Sequence, residues 1–411
     1  MRILVVTWGF PRADQRFLVD KVDAIARHGH EVRVLCAPGH TDPGLAPHPA
    51  VRVRPVLRER PRSVVAQAQL LAQATVRDAQ FVERVVTQTH AEHASFHDRV
   101  NVLERVLPFA GERPDLVHFE FANWAASYQV ALPFLDCPAV VECQGSDLLV
   151  EPIEHASLRR RLVTLFARVA RVVCVSNDLG RAAIELGTDP TRLAVIPEGI
   201  DTGFFTPDGA QAPGDEQIRL VSVGRLHWVK GYEYALHAVG ILRARGHPVT
   251  YTIAGHDEGA GRSLQRAARD LGLESVVRMP GALSQVGVRN LLSASDVFVL
   301  SSVSEGLCKA ALEAMAMGLP VVTTNVGGMS EAVLHGRTGL VVGPRDPVAL
   351  ADAIESLITD PGRRRRLGAA GADRARRCYD SADQIRQLLA VFAEVVQHDR
   401  VARARARATS G

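Results

Sequence analysis

The chain has 411 residues, more than one ordinary core accommodates and enough for two domains. Hydrophobic residues make up 47% and charged residues 23%, as in a globular protein, and a net charge of +3 gives no reason to expect a nucleic-acid partner. The six cysteines show neither CxxC pairs nor His/Cys metal spacing, which fits reduced thiols in a cytosolic protein and gives no support to a disulfide framework or a zinc site.

In chain order, Ile3 to Thr7 is an apolar run of the buried parallel-strand kind, and Trp8-Gly9-Phe10-Pro11 breaks it. Phe17, Leu18, Val22, Ile25 and Ala26 recur at helical spacing and Gly29 marks the helix end; Glu31 to Cys36 returns as a strand. A βαβ unit at the start predicts a parallel sheet with right-handed crossovers. Residues 60–108 have almost no glycine and predict one or two long helices on the flank. The apolar Ala66, Leu70, Leu71 and Val76 there suit core packing or a membrane surface equally. Strand signals resume at Leu116 to Phe119, Ala139 to Cys143, Val172 to Val175 and Ala194 to Ile196. A Pro/Gly/Asp-rich stretch, Pro197 to Asp201 and on through 206–215, is the linker candidate.

A second series of strands follows at Ile218 to Val223, Thr250 to Ala254, Val276 to Met279, Val297 to Leu300, Val321 to Thr324 and Leu340 to Val342. The fold class expected is therefore α/β, with two doubly wound Rossmann-like domains at 1–203 and 204–381 and a ligand cleft at the carboxyl ends of the sheets. A closing helix from about Ala382 to Val396, in a segment 382–411, is expected to pack back on the first domain. No apolar stretch reaches the roughly 20 residues needed to span a bilayer, and Arg2 to Val6 reads as a strand rather than a signal peptide. The expected location is cytoplasmic. The basic clusters Arg159 to Arg161, Arg363 to Arg366 and Arg403 to Arg407 leave peripheral contact with the inner membrane face open, beside the plainer reading of a solvated surface or frayed tail.

Two segments carry chemistry. In Val223-Gly224-Arg225-Leu226-His-Trp-Val-Lys230-Gly231 a buried strand ends in a glycine that admits close backbone approach, and two cations follow. A diphosphate needs such paired charges, although strand-Gly-Arg also starts plain helices. The second segment runs from Ser301 through Glu305-Gly306-Leu307-Cys308 and Glu313 to Gly318-Leu-Pro320. A Ser-rich loop leads into a helix expected to begin near Leu307, whose first amides form an anion site. Helical rise would separate Glu305 and Glu313 by ~12 Å, letting them reach different parts of one nucleotide sugar. The plainer reading is a capping carboxylate at Glu305 and a helix salt bridge at Glu313.

Taken together, Gly224-Arg225…Lys230-Gly231, Glu305 and Glu313 separated by seven residues, and Gly318-Leu-Pro-Val-Val…Gly327-Gly328 resemble the retaining family-4 glycosyltransferases of GT-B fold. Pro197-Glu-Gly-Ile-Asp201 is similar to that family's Pro-Asn-Gly-Val-Asp linker, and Phe10-Pro11…Phe17 to the start of exopolysaccharide-type members. The resemblance implies that Arg225 and Lys230 hold a diphosphate, that Glu313 bonds the ribose, that Glu305 and the Gly306–Cys308 amides contact sugar and phosphate, and that Gly281 to Leu283 flank the base. It places Glu305, Arg225, Lys230 and Gln144 nearest the reaction. Gly9, Phe10, His118, Glu120 and Asp147 then fall on the acceptor side.

Two departures stand out. Where the family has His-Gly-x-Asp the chain has Gln144-Gly145-Ser146-Asp147, and His118-Phe-Glu120 stands where His-x-His is common. Gln144 can bond a sugar hydroxyl but cannot shuttle a proton. His118 reads either as a satisfied strand histidine or as a ligand group; Trp124 reads as packing. The resemblance implies retaining transfer of a sugar from a nucleotide-diphosphate donor to an acceptor hydroxyl of a small molecule, glycan or lipid-linked glycan, and because the sequence shows no Asp-x-Asp metal motif the transfer is expected to be metal-independent. No metal and no cofactor beyond the nucleotide sugar is expected. Readings that keep the fold are a nucleotide-sugar epimerase or hydrolase, and a non-catalytic nucleotide-sugar-binding subunit.

Overall fold

In a computed structural model, residues 1–12, 15–39, 45–57, 63–92, 95–207 and 217–410 are described. The chain divides into two compact units, one of Met1–Cys174, Gly180–Val195 and Ile385–Gly411, the other of Val175–Leu179 and Ile196–Gln384. The part of the expected linker at 208–216 lies outside the described residues.

In the first unit, β1 (Arg2–Val6), β2 (Glu31–Cys36), β3 (Val51–Pro55), β4 (Leu116–Glu120), β5 (Ala139–Cys143), β6 (Arg171–Cys174) and β7 (Leu193–Val195) form one sheet in the order β3-β2-β1-β4-β5-β6-β7. Every pairing is parallel. In the second, β8 (Ile218–Val223), β9 (Val249–Ala254), β10 (Val277–Gly281), β11 (Val297–Leu300), β12 (Val321–Thr324) and β13 (Gly339–Val342) form the order β10-β9-β8-β11-β12-β13, again all parallel. Strands covered by helices on both faces need apolar side chains on both, which explains the uninterrupted burial of Leu116–Glu120, Ala139–Cys143 and Val297–Leu300. In each sheet the strand order reverses beside the first strand, between β1 and β4 and between β8 and β11. Doubly wound sheets bind ligands outside the carboxyl ends at such a reversal. The loops to inspect are therefore those after β1, β4 and β5, and those after β8 and β11.

Three expectations need correction. The region 60–108 holds three helices, Val64–Arg77, Ala79–Glu92 and Phe96–Val106, not one or two, because Asp78 breaks the first from the second. On the first of them Leu70 and Ala74 are buried while Val64, Val65 and Val76 are exposed. The helix expected near Leu307 begins at Lys309, with Cys308 as its N-cap. The closing helix runs from Ser381 to Ser410, so the Arg403–Arg407 stretch is helical rather than frayed, as alternating Ala and Arg, both strong helix formers, favour. Its Phe392 is buried against His118 of β4, with ring centroids 5.0 Å apart. Strand β3 has no counterpart among the expected elements: its Val-Arg-Val-Arg alternation is that of a sheet edge. Among the described residues all six cysteines are free, and no helix is long and apolar enough to cross a membrane.

Candidate active site

The second unit brings the two chemical segments together. Gly231 has φ +56°, and a Cβ there would lie 2.3 Å from the Ser301 carbonyl oxygen, so the loop after β8 touches the loop after β11 only with glycine at this point. The contact is tied by Val303 N–H donating to the Val229 carbonyl (2.8 Å) and Ser301 Oγ donating to the Lys230 carbonyl (3.2 Å). Lys230 Nζ consequently sits 2.5 Å from Glu305 Oε1, which also accepts from Ser302 Oγ at 2.7 Å. Burial alone would lower the Lys230 pKa, but the Glu305 carboxylate outweighs it and raises it, so the ammonium stays charged through neutral pH. Glu305 is thus a partner of Lys230 rather than a helix cap.

The residues from Ser301 to Cys308 are held out of helical form by the Gly327-Gly328 turn. A Cβ on Gly327 would meet the Glu305 carbonyl at 1.7 Å, and Gly328 N–H donates to the Gly306 carbonyl. Because this loop is not helical, the ~12 Å of helical rise expected between Glu305 and Glu313 does not apply; Glu313 lies half-buried on the helix Lys309–Ala316. The Gly306 and Leu307 amides have no hydrogen-bond partner among the described residues, whereas Cys308 N–H is turned onto Met329 Sδ at 3.3 Å. Arg225 is exposed and donates to Glu258 Oε2 at 2.7 Å. Gly224 has room for no side chain: a Cβ would stand 2.9 Å from the Tyr232 hydroxyl and 3.4 Å from Lys230 Cε. Gly281 closes β10 and accepts from Gly255 N–H, and Leu283 follows it, 37% exposed.

Residues not singled out in the sequence complete this site. Ser302, whose carbonyl is held by Thr324 Oγ1 at 2.6 Å, orients Glu305. The Tyr232 hydroxyl is buried without a hydrogen-bond partner among the described residues. An aromatic immediately after Lys230-Gly231 was the signal available.

The first unit has its own buried polar cluster at the carboxyl ends of β4 and β5. Lys21 Nζ lies 2.6 Å from Glu142 Oε1 and 3.0 Å from Glu120 Oε1, and His118 Nε2 lies 3.1 Å from Glu142 Oε2, all four side chains being essentially inaccessible. His118, Glu120 and Glu142 bring one ligand atom each within 4.8 Å of one another, the spacing of a metal site. Lys21 already supplies the cation there. Burial would raise the Glu142 pKa, but Lys21 and His118 pull it well below the usual carboxylate range; burial and the Glu142 charge raise that of Glu120. Glu142 Oε1 also accepts from Gln144 Nε2 at 2.9 Å. That bond fixes the Gln144 amide so that its oxygen, half-buried with no partner among the described residues, is the end left to accept from a hydroxyl.

Asp147 is buried, with Oδ2 accepting from Ala122 N–H (2.9 Å) and Oδ1 from Gln144 N–H (3.1 Å) and Gly145 N–H (2.8 Å). It braces the loop that carries Gln144. Gly9 and Phe10 are buried too, and the Phe10 carbonyl accepts from Cys36 Sγ. Trp124 stacks on Tyr128 at 5.6 Å.

Burial raises the Asp147 pKa to about 6 despite its backbone bonds. A raised carboxyl pKa contributes stability that is present below the ordinary value and lost as pH rises through about 6. Asp147→Asn, which does not titrate, should therefore cost more stability relative to wild type at pH 5 than at pH 7, by about 1 kcal/mol. Urea melts at the two pH values check this; an equal gap at both would show that Asp147 does not titrate in that window.

Comparison with known proteins fits this geometry. The profile described as Glycosyltransferase Family 4 matches residues 15–204, and that described as Glycosyl transferases group 1 matches residues 208–374. A glycogen synthase of Mycobacterium tuberculosis is 31% identical over 399 residues, covering 92% of this chain and 91% of that one. The chain belongs to the family-4 glycosyltransferases. This glycosyltransferase is also similar to the putative colanic acid biosynthesis glycosyltransferase WcaL of Salmonella typhimurium, 27% identical over 388 residues, with 87% and 94% of the two chains covered. Its fold matches that of Anabaena Alr3699/HepE in complex with UDP and glucose, at a TM-score of 0.72 and 20% identity over 96% of this chain and all of the other. The glycosyltransferase is of GT-B type, with two Rossmann-like parallel-sheet units.

Proposed function

We propose that the enzyme transfers a sugar from a nucleotide-diphosphate donor to an acceptor hydroxyl, with retention of anomeric configuration and without a metal ion. The observation that carries this is the Lys230–Glu305 pair lying beside the unpartnered amides of Gly306 and Leu307 at the strand-order reversal of the second sheet. A diphosphate leaving group develops charge as its bond to the sugar breaks. A fixed ammonium and pre-aimed amides stabilise that charge without reorganising. Lys230, Arg225 and the amides supply the positive charge that other architectures take from a divalent cation, and the UDP bound by the HepE protein supports the donor class. The bond from the sugar's anomeric carbon to the β-phosphate oxygen breaks, the acceptor oxygen bonds to that carbon on the same face, and the acceptor proton passes to the departing phosphate. Glu313 and the Gly281–Leu283 segment are assigned to ribose and base.

On the acceptor side we assign Gln144, oriented through Glu142, with Glu120 and His118 acting behind it and Asp147 bracing its loop. The names of the relatives, a glycogen synthase and a colanic acid glycosyltransferase, support a carbohydrate acceptor. The test is to incubate the enzyme with nucleotide sugars and oligosaccharide acceptors, with and without excess EDTA, and to assign the new linkage by NMR. A product with the donor's anomeric configuration at an unchanged rate in EDTA is expected. An inverted linkage, or activity lost in EDTA and restored by a divalent cation, overturns the respective half of the proposal.

A further inference from the structure

Away from these loops, the edge of the first sheet carries a second concentration of cationic side chains. Strands β2 and β3 are parallel neighbours with Arg33 opposite Arg52 and Leu35 opposite Arg54. Those four residues border a cavity of about 470 Å³, closed by Arg77 at the end of the helix Val64–Arg77 and by Ala110-Gly111-Glu112. Gly111 makes the closure possible. At φ +77°, a Cβ there would stand 3.2 Å from Arg77 Cβ, so helix and loop approach this closely only over glycine.

Four arginines and one carboxylate thus line the same cavity. The buried Glu112 accepts from Arg33 Nη1 at 3.3 Å and from Arg54 Nη1, and Arg54 Nη2 donates to the Pro108 carbonyl at 2.7 Å. Arg33 also donates to Glu31 outside the cavity. Two arginines are therefore held in place, while Arg52 and Arg77 have no acidic partner among the described residues. Arg54 Nε is buried with no hydrogen-bond partner among the described residues. Burial lowers the Arg54 pKa, Glu112 opposes that, and the charges of Arg77 and Arg33 lower it further. An arrangement of like charges around an open cavity, with a buried donor left over, is one that an anion would complete.

We propose that Arg33, Arg52, Arg54 and Arg77 form a second, non-catalytic binding site for a small soluble polyanion of the polyphosphate or phosphorylated-metabolite class. Fork-shaped guanidinium groups match the oxygens of such a ligand two at a time. A single inorganic chloride would satisfy neither the geometry nor the charge.

The probe is inorganic tripolyphosphate, followed by the shift in melting temperature at constant ionic strength, with sodium chloride as the matched control. Wild type should show a saturable rise. Lys230→Ala, which removes the cation assigned to the donor diphosphate, should keep it. Arg52→Gln/Arg77→Gln should bind about tenfold more weakly or worse. Without ligand, this double variant should melt no lower than wild type, since both side chains are exposed and their mutual repulsion is relieved. Arg52→Gln and Arg77→Gln singly should each give an intermediate loss, so the reading does not depend on the double variant alone. A response in wild type no larger than that of matched chloride overturns the proposal. So does an undiminished response in Arg52→Gln/Arg77→Gln, or a response abolished by Lys230→Ala.

Discussion

Lys230→Ala should lower kcat/KM for sugar transfer by about two to three orders of magnitude, the usual consequence of removing one fixed group that stabilises developing charge. The effect should lie mainly in kcat. Lys230 reaches its position through the Gly231 contact with Ser301, and its ammonium is kept charged by Glu305 at 2.5 Å. It is thus ready for the negative charge that appears when the bond to the diphosphate breaks, which is why transition-state binding should suffer more than ground-state binding. Arg225→Ala makes the internal comparison. Arg225 is exposed and paired with Glu258 at the surface, where water screens its charge, so about tenfold is the expected loss. Steady-state kinetics with the two variants should rank Lys230 well above Arg225. Equal and small losses would mean that Lys230 and Glu305 form only a structural pair.

The two loops assigned to the donor were legible as loops in the sequence for a physical reason. A ligand site at a strand-order reversal needs strands that give way to glycine or polar residues, and Val223-Gly224-Arg225 and Leu300-Ser301-Ser302 show that as abrupt breaks in apolar runs. Every strand of both sheets except β3 was likewise legible from those runs. The helix start at Lys309 was not, because what delays it is the Gly327-Gly328 turn pressing on the carbonyls of Glu305 and Gly306 from about twenty residues further on. Strand β3 was hidden for the opposite reason: its arginines at alternate positions line a cavity at the sheet edge instead of a core. Lys21 left a signal that was open to reading. Leu18, Lys21, Val22 and Ile25 share one helix face, and all four are buried, so a lysine stood inside the apolar stripe. What it pairs with, Glu120 and Glu142 on two strands some hundred residues away, follows only from the sheet order.

Lys21→Met should therefore destabilise the first unit by about 3–5 kcal/mol at neutral pH, the cost of breaking a buried ion pair by removing one partner. Methionine fills the space but leaves Glu142 facing Glu120 and His118 without its ammonium. The pH dependence gives the sign. Glu142 has a folded pKa below its ordinary value, so its pairing with Lys21 stabilises above the ordinary carboxylate pKa and is lost as pH falls below it. The gap between wild type and Lys21→Met should accordingly be full at pH 7 and shrink below about pH 4.5. Adding Glu142→Gln to Lys21→Met removes one of the two carboxylates that Lys21 paired, and with it the charge facing Glu120, and should recover part of the stability, since a half-paired buried set is the costly arrangement. It should not recover activity. Glu142 Oε1 is the acceptor that fixes the Gln144 amide, and a neutral amide at 142 can face Gln144 with either its oxygen or its nitrogen. A double variant as stable as wild type and equally active with acceptor would separate the cluster from Gln144 and leave it a purely structural role. A stable double variant with raised acceptor KM or lowered kcat would identify Lys21 and Glu142 as positioning residues that act through Gln144.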